Sequence, residues 1–307
     1  MARMRIDRAT ARLLCLVLLI LGAPAHAQTI FACEPEWGAL TRALLPQARV
    51  FVATHALQDP HHIEARPSLI AHMRAADAAI CTGADLEAGW LPTLQQRSGN
   101  ARIQPGAQGL FLAASAVRLI DFPVAGLVLP FDGDIHPGGN PHLHADPRNI
   151  VPIARRWAER LQALFPHEHA AIGLRLKAFE ADWSEQLARW QVRADRLKGM
   201  KVVVQHTSFA YLLAWLGAQP LADLEPRPGL SPTPGHLNKL LALIREQRPE
   251  AIVINSYQDE RAAHWLARQM GGRIPVVQLP ATLNTDDSAR AISDWFDHLL
   301  SALEGVR

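Results

Sequence analysis

From residue 29 onward, short apolar runs alternate with segments in which apolar positions recur every three or four residues. That alternation marks βαβ units built round a parallel sheet. Ile30–Cys33, Val50–Thr54 and Ala78–Thr82 are predicted strands, with helices expected over Trp37–Leu45, Ser68–Ala75 and Leu86–Arg97. The pattern restarts at Lys201–Gln205, Ala251–Asn255 and Pro275–Leu279, so two lobes of one style are expected. Between them Ile172, Leu176, Phe179, Trp183, Leu187 and Trp190 form the stripe of one amphipathic helix over Pro166–Leu197, opened by Pro166 and closed by Gly199. At ~1.5 Å per residue such a helix spans ~45 Å, the length of a two-lobed body. As the sole crossing it would resist wide hinge opening. Its tryptophans, like Trp157, read as packing. After the proline-rich stretch Arg227–Pro234, a helical pattern at Gly235–Gln247 is expected to cover the second lobe. The expected fold is α/β: two lobes, each a parallel sheet flanked by helices, over residues 28–165 and 199–307, joined by one long helix over 166–198.

The first 27 residues stand apart. Arg3, Arg5, Arg8 and Arg12 precede an apolar run from Leu13 to Ala23, and Ala25-His26-Ala27 has the small-x-small pattern of a signal-peptidase site. A cleaved signal peptide is expected, and no later run approaches the ~20 apolar residues of a membrane span. The mature chain is therefore expected in the periplasm, as a soluble monomer. Removing a segment with four arginines and one aspartate, net +3, takes the formal charge from +2 to −1, which gives no electrostatic case for nucleic acid. Of three cysteines, Cys15 leaves with the signal. Cys33 and Cys81 lie in or beside predicted first-lobe strands, where they form either a disulfide, as an oxidising compartment favours, or two buried thiols.

The candidate chemistry is in the histidines. Gly138–Pro147 reads Gly-Gly-Asn-Pro-His-Leu-His-Ala-Asp-Pro, and its prolines preset the backbone around His142 and His144. In extended chain these two would share a face. His136 adds a third imidazole just upstream. His61 and His62 follow the strand Val50–Thr54, and His206 follows Lys201–Gln205. In open parallel sheets the loops leaving strand C-termini line the ligand crevice, so each lobe offers an imidazole at its crest.

Pro60-His61-His62-Ile63-Glu64-Ala65-Arg66-Pro67-Ser68, Asn140-Pro141-His142-Leu143-His144-Ala145-Asp146-Pro147 and Val204-Gln205-His206 resemble, in combination, the histidine motifs of the periplasmic solute-binding proteins of zinc and manganese ABC importers, most closely the zinc-uptake branch. Thr82-Gly83-Ala84-Asp85-Leu86-Glu87 with Trp90-Leu91 is similar to a further segment of that family. The resemblance covers essentially the whole mature chain. It implies capture of Zn²⁺ as a transported ligand by His61, His142 and His206, and delivery to a cognate ABC permease. His62 is then a neighbour, and His144 takes a position often held by tryptophan. The late aspartate of manganese-binding relatives, and of some zinc binders, has no match in Val276–Thr282, and the histidine- and acid-rich acquisition loop is missing or reduced to Asp132–His136. Water, His136, Asp286 or Asp287 is then the fourth ligand.

Three neutral imidazoles suit Zn²⁺, whereas Mn²⁺ prefers carboxylates; Cu²⁺ competes at nitrogen sites. Asp59, Glu64 and Asp146 are candidates to orient the rings. An exported zinc enzyme is the alternative, since three histidines and an open position also build hydrolytic sites. No His-Glu-x-x-His, Gly-x-Ser-x-Gly, P-loop or dinucleotide-binding pattern supports it. A binder of a metal chelate, or an adhesin, leaves the three histidine loops without a task.

Overall fold

Each of two sheets carries four parallel strands, in the same order. The computed structural model describes residues 27–120, 136–284, 288 and 290–307, so residues 1–26 of the expected signal peptide, and also Asp132, Asp134, Asp286 and Asp287, lie outside the described residues. In the first sheet β1 (Thr29–Ala32) is flanked by β2 (Arg49–Val52) and β3 (Ala78–Cys81), with β4 (Leu110–Leu112) beyond β3. The second repeats this arrangement, with β5 (Lys201–Val204) between β6 (Gln219–Asp223) and β7 (Ala251–Asn255), and β8 (Val276–Leu279) beyond β7. Central strands are unbroken apolar runs because both faces are covered: β3 and β7 are buried at every position. The edge strands β2 and β6 are half exposed.

Two strands had no clear signal in the sequence. β4 is three residues long, and β6 carries Pro220, which removes a ladder donor. An edge tolerates that loss, and the register of β6 on β5 shifts at Val202/Val203.

Nine helices are described: α1 (Pro35–Leu44), α2 (Pro67–Ala75), α3 (Leu91–Ser98), α4 (Pro147–Leu164), α5 (His169–Leu197), α6 (Ala210–Leu216), α7 (Pro234–Gln247), α8 (Arg261–Gln269) and α9 (Ala291–Glu304). The expected long helix is α5, with 29 residues spanning ~44 Å; the stretch Pro166–Glu168 is a separate 3-10 turn. The helix expected from Leu86 begins only at Leu91, because the chain turns first, with Ala84 and Asp85 at positive φ. For α4 only the stretch around Trp157 reads as helical from the sequence pattern, since prolines such as Pro147 and Pro152 ordinarily interrupt a helix. Pro147 instead occupies the first turn, where no intrahelical N–H is needed, and the Asp146 carboxylate caps it by accepting from Arg148 N at 2.8 Å.

The two sheets share one core. Ile30, Ala32 and Trp37 of the first lobe belong to the same apolar cluster as Val202, Val204 and Leu279 of the second, through Trp157, Trp183, Trp190 and Phe296. Trp183 and Trp190 meet edge to face at 5.2 Å, each also packing on Phe296. α9 lies in this seam against α1, α5 and β8, so the lobes are joined by packing of the C-terminal helix as well as by the long one. A separate cluster fills the far side of each sheet.

Cys33, just after β1, is disulfide-bonded to Cys81 at the end of the adjacent β3, with 4.8 Å between Cα atoms. The bridge closes a separation of 48 residues. Loop-closure entropy for a loop of this size stabilises the fold by about 2–4 kcal/mol. Replacing both cysteines by serine should lower the urea midpoint and raise the m-value as the unfolded chain expands; an unchanged midpoint would mean that the bridge contributes nothing.

Candidate metal centre

The crest of β5 places His206 at the point where the second sheet's connections diverge to β6 and β7, the position at which open α/β sheets bind ligands. His206 is buried, and its Nδ1 lies 2.8 Å from Glu225 Oε2, which also accepts from Gly229 N at 2.8 Å. Glu225 follows β6, and with that strand unrecognised nothing in the sequence tied it to His206.

From the first lobe, the loop after β2 brings in His61. The Asp59 carboxylate accepts from both the backbone N of His61 (3.0 Å) and its Nδ1 (2.6 Å). A proton on Nδ1 leaves Nε2 with its lone pair. Burial opposes ionisation of Asp59, but the bonds and charge of His61 hold its carboxyl below the ordinary value. Trp90 Nε1 donates to Pro60 O at 2.8 Å, pinning the loop.

His142 sits on the prolyl loop. Asn140 Oδ1 accepts from His142 N at 2.9 Å, and Asn140 Nδ2 donates across to Thr207 O at 3.0 Å, next to His206. Tyr211 donates its hydroxyl to Asn140 O at 3.0 Å. His142 Nε2 is buried with no hydrogen-bond partner, the kind of orphaned acceptor that folded proteins rarely leave without a ligand. Burial, then the charges of His61 and His206, hold His142 well below the ordinary histidine range, so its ring is neutral and able to donate a lone pair.

The three rings form a nearly equilateral triangle, with centroids 5.3 Å (His61–His142), 5.7 Å (His61–His206) and 5.5 Å (His142–His206) apart, and one nitrogen from each falls within 4.8 Å of the others. The structure thus gathers the three histidines singled out in the sequence. His62 is exposed beside His61. His136 stands at the rim of the triangle, its Nε2 3.1 Å from that of His61.

His144 does not share a face with His142. Leu143–Ala145 is a 3-10 turn rather than extended chain, so alternation does not apply. His144 turns away from the triangle and stacks on Trp295; its Nε2 donates to Ala281 O at 2.8 Å, and its Nδ1 lies 3.3 Å from the buried Glu36 Oε1. Thr282 donates to the other oxygen of Glu36. Glu36 and His144 therefore tie the loop after β8 to the first lobe. Of the three carboxylates expected to orient the rings, Asp59 alone does so: Asp146 caps α4 and pairs with Arg148 at 2.7 Å, and Glu64 is exposed.

Arranged this way the site offers three buried imidazole donors. The carboxylates nearest His61 and His206 are occupied with ring Nδ1 atoms, so neither is a ready base for a metal-bound water.

Residues 30–306 match the family described as zinc-uptake complex component A, periplasmic. Among solved structures, a ZnuA crystal structure superposes with a TM-score of 0.74 at 19% identity, over 90% of this chain and 99% of that one. The SBP FpvC from Pseudomonas aeruginosa in complex with Mn²⁺ gives 0.72 at 18% identity, over 91% and 97%. A Cd-bound periplasmic metal binding protein from Candidatus Liberibacter asiaticus gives 0.70 at 14% identity, over 90% and 99%. No curated protein matches the chain. At these identities the superpositions establish the fold.

Behind the first-lobe crest lies a second cluster. Thr82 N donates to Glu87 Oε1 (2.6 Å) and Glu34 Oε2 (3.2 Å), and Gly83 N donates to Glu87 Oε2 at 3.0 Å. Gly83 has φ +76°, and a Cβ there would come within 3.0 Å of Leu112 Cβ, so glycine alone fits. Burial raises both carboxyls, Glu87 to about 7, and the negative charge of Glu87 raises Glu34 further. A folded-state value above the unfolded one means that the native protein binds more protons between pH ~4.5 and ~7, so stability falls as pH rises through that window. Glu34→Gln supplies a neutral donor and should flatten this dependence. The check is the urea midpoint at pH ~5 and ~7.5, and an equal decline in wild type and variant would exclude Glu34 as a source of the dependence.

Proposed function

Because the chain belongs to the periplasmic zinc-uptake complex component A family, we propose that it captures Zn²⁺ in the cleft between its lobes and delivers it to an ABC permease. Members of this family are metal-binding components of transport, not enzymes, and the chain is a binder. The observation that carries the zinc reading is the triangle of His61, His142 and His206, with the Nδ1 atoms of His61 and His206 fixed by carboxylates. Carboxylate–histidine pairs of this kind set the tautomer and raise the basicity of the opposite nitrogen.

An all-imidazole set favours Zn²⁺ over Mn²⁺, which takes oxygen ligands. Cu²⁺ is the stronger chemical competitor at nitrogen, and a transporter separates it from zinc by geometry and availability rather than affinity. The mechanism is sequestration: His61 comes from the first lobe, His206 from the second and His142 from the loop between them, so the ion ties the lobes together. Release then requires the triangle to open when the permease is engaged. The shared core limits how far the lobes swing, so small shifts of the crest loops do most of this work. Residues 1–27 act as the cleaved export signal, and the mature chain works as a monomer.

Competitive titration of the chelator-stripped protein should give tight 1:1 zinc binding, much weaker for Mn²⁺. His61→Ala, His142→Ala and His206→Ala should each weaken it by several orders of magnitude. Zinc binding indifferent to all three changes would refute the site. Asp59→Asn and Glu225→Gln should each cost about 10–100-fold in zinc affinity while leaving the folded spectrum intact; affinities equal to wild type would show that these carboxylates do not orient the ligands.

A further inference from the structure

Three ligands leave a tetrahedral ion one position short, and the fold places one more imidazole at the gap. We propose that His136 is the fourth ligand, closing an all-nitrogen, four-histidine site; this deepens the zinc reading and rests on it.

The argument begins with His61. Its Nδ1 donates to the Asp59 carboxylate at 2.6 Å, so Nε2 is the nitrogen left to offer a lone pair to an ion. His136 Nε2 stands 3.1 Å from that lone pair. In a tetrahedral site with Zn–N of ~2.0–2.1 Å, neighbouring donor atoms sit about 3.3–3.4 Å apart. The observed spacing is close to one edge of such a tetrahedron. The ring of His136 is 5.1 Å from that of His61 and 6.5 Å from that of His142, so it approaches from the His61 side. It lies outside the tightest group of three and would have to shift toward it to join.

Without an ion, this contact holds only if His136 Nε2 carries a proton to donate to His61. That tautomer leaves His136 Nδ1 as a bare acceptor, and Nδ1 is buried with no hydrogen-bond partner. With an ion bound, the ring proton would sit on Nδ1, and the Nε2 lone pairs of both rings would be free to hold the metal. The metal-bound arrangement would thus remove the mismatch at Nδ1.

Four imidazoles leave no water on the ion, which excludes an oxygen-demanding Mn²⁺ more strongly than three would. The site then has no open position for hydrolytic chemistry.

X-ray absorption at the zinc edge of the loaded protein tests this, with wild type compared to His136→Ala, His136→Gln and His206→Ala. Four imidazole scatterers are expected in wild type. Three, plus one oxygen, are expected in both His136 variants, with zinc affinity reduced at least about tenfold and the melting temperature of the metal-free protein unchanged. Three imidazoles and one oxygen in wild type, unaltered by either substitution, would overturn the assignment and make water the fourth ligand. If His206→Ala abolished tight binding in that case, the three-histidine reading would stand; if it too had no effect, both would fall.

Discussion

Three imidazoles from distant parts of one chain must meet within a few ångströms, and that depends on the apolar seam between the two sheets. Trp157, Trp183, Trp190 and Phe296 belong to one continuous cluster reaching β1 on one side and β5 on the other. Dense aromatic packing resists sliding, because displacing one ring strips contacts from its neighbours. The crest loops are therefore held at a fixed separation, and the histidines they carry can be aimed by local bonds alone. A cleft built between freely hinged domains would have to order those domains on every binding event. Here most of that ordering is done on folding.

Local aiming is carried by acceptors that contact ring nitrogens and backbone. Asp59 holds His61 twice, Glu225 holds His206 and a loop amide, and Asn140 ties the His142 backbone to the residue beside His206. The metal-facing nitrogens are selected by default, since the other nitrogen of His61 and His206 is already engaged. Glu36 and His144 perform a related task away from the ion: they anchor the loop following β8 to the first lobe beneath Trp295. His144 joins the lobes by polar contacts as well as by stacking.

The sequence revealed those parts of this molecule that are governed by local pattern. Buried central strands such as β7 and the stripe of α5 follow from periodicity; His61 and His206 stood out because each follows a strand-like run, and His142 because prolines preset its loop. What escaped was set by tertiary context. β6 contains a proline that only an edge position permits, and losing that strand hid Glu225. α4 begins on a proline that acts as a starter because Asp146 caps it. The turn at Leu143–Ala145 reversed the expected direction of His144. The roles of Asp146 and Glu64 could not be told apart by proximity in sequence, because both lie close to a histidine and neither points at one.

The central claim, that the triangle of histidines binds zinc, is tested most directly by anomalous diffraction from crystals of the zinc-loaded protein at the zinc absorption edge. A single strong peak at ~2.0–2.1 Å from one nitrogen each of His61, His142 and His206, with none elsewhere in the molecule, is the predicted result. A peak at another cluster of side chains, with the three imidazoles left unoccupied, would contradict it.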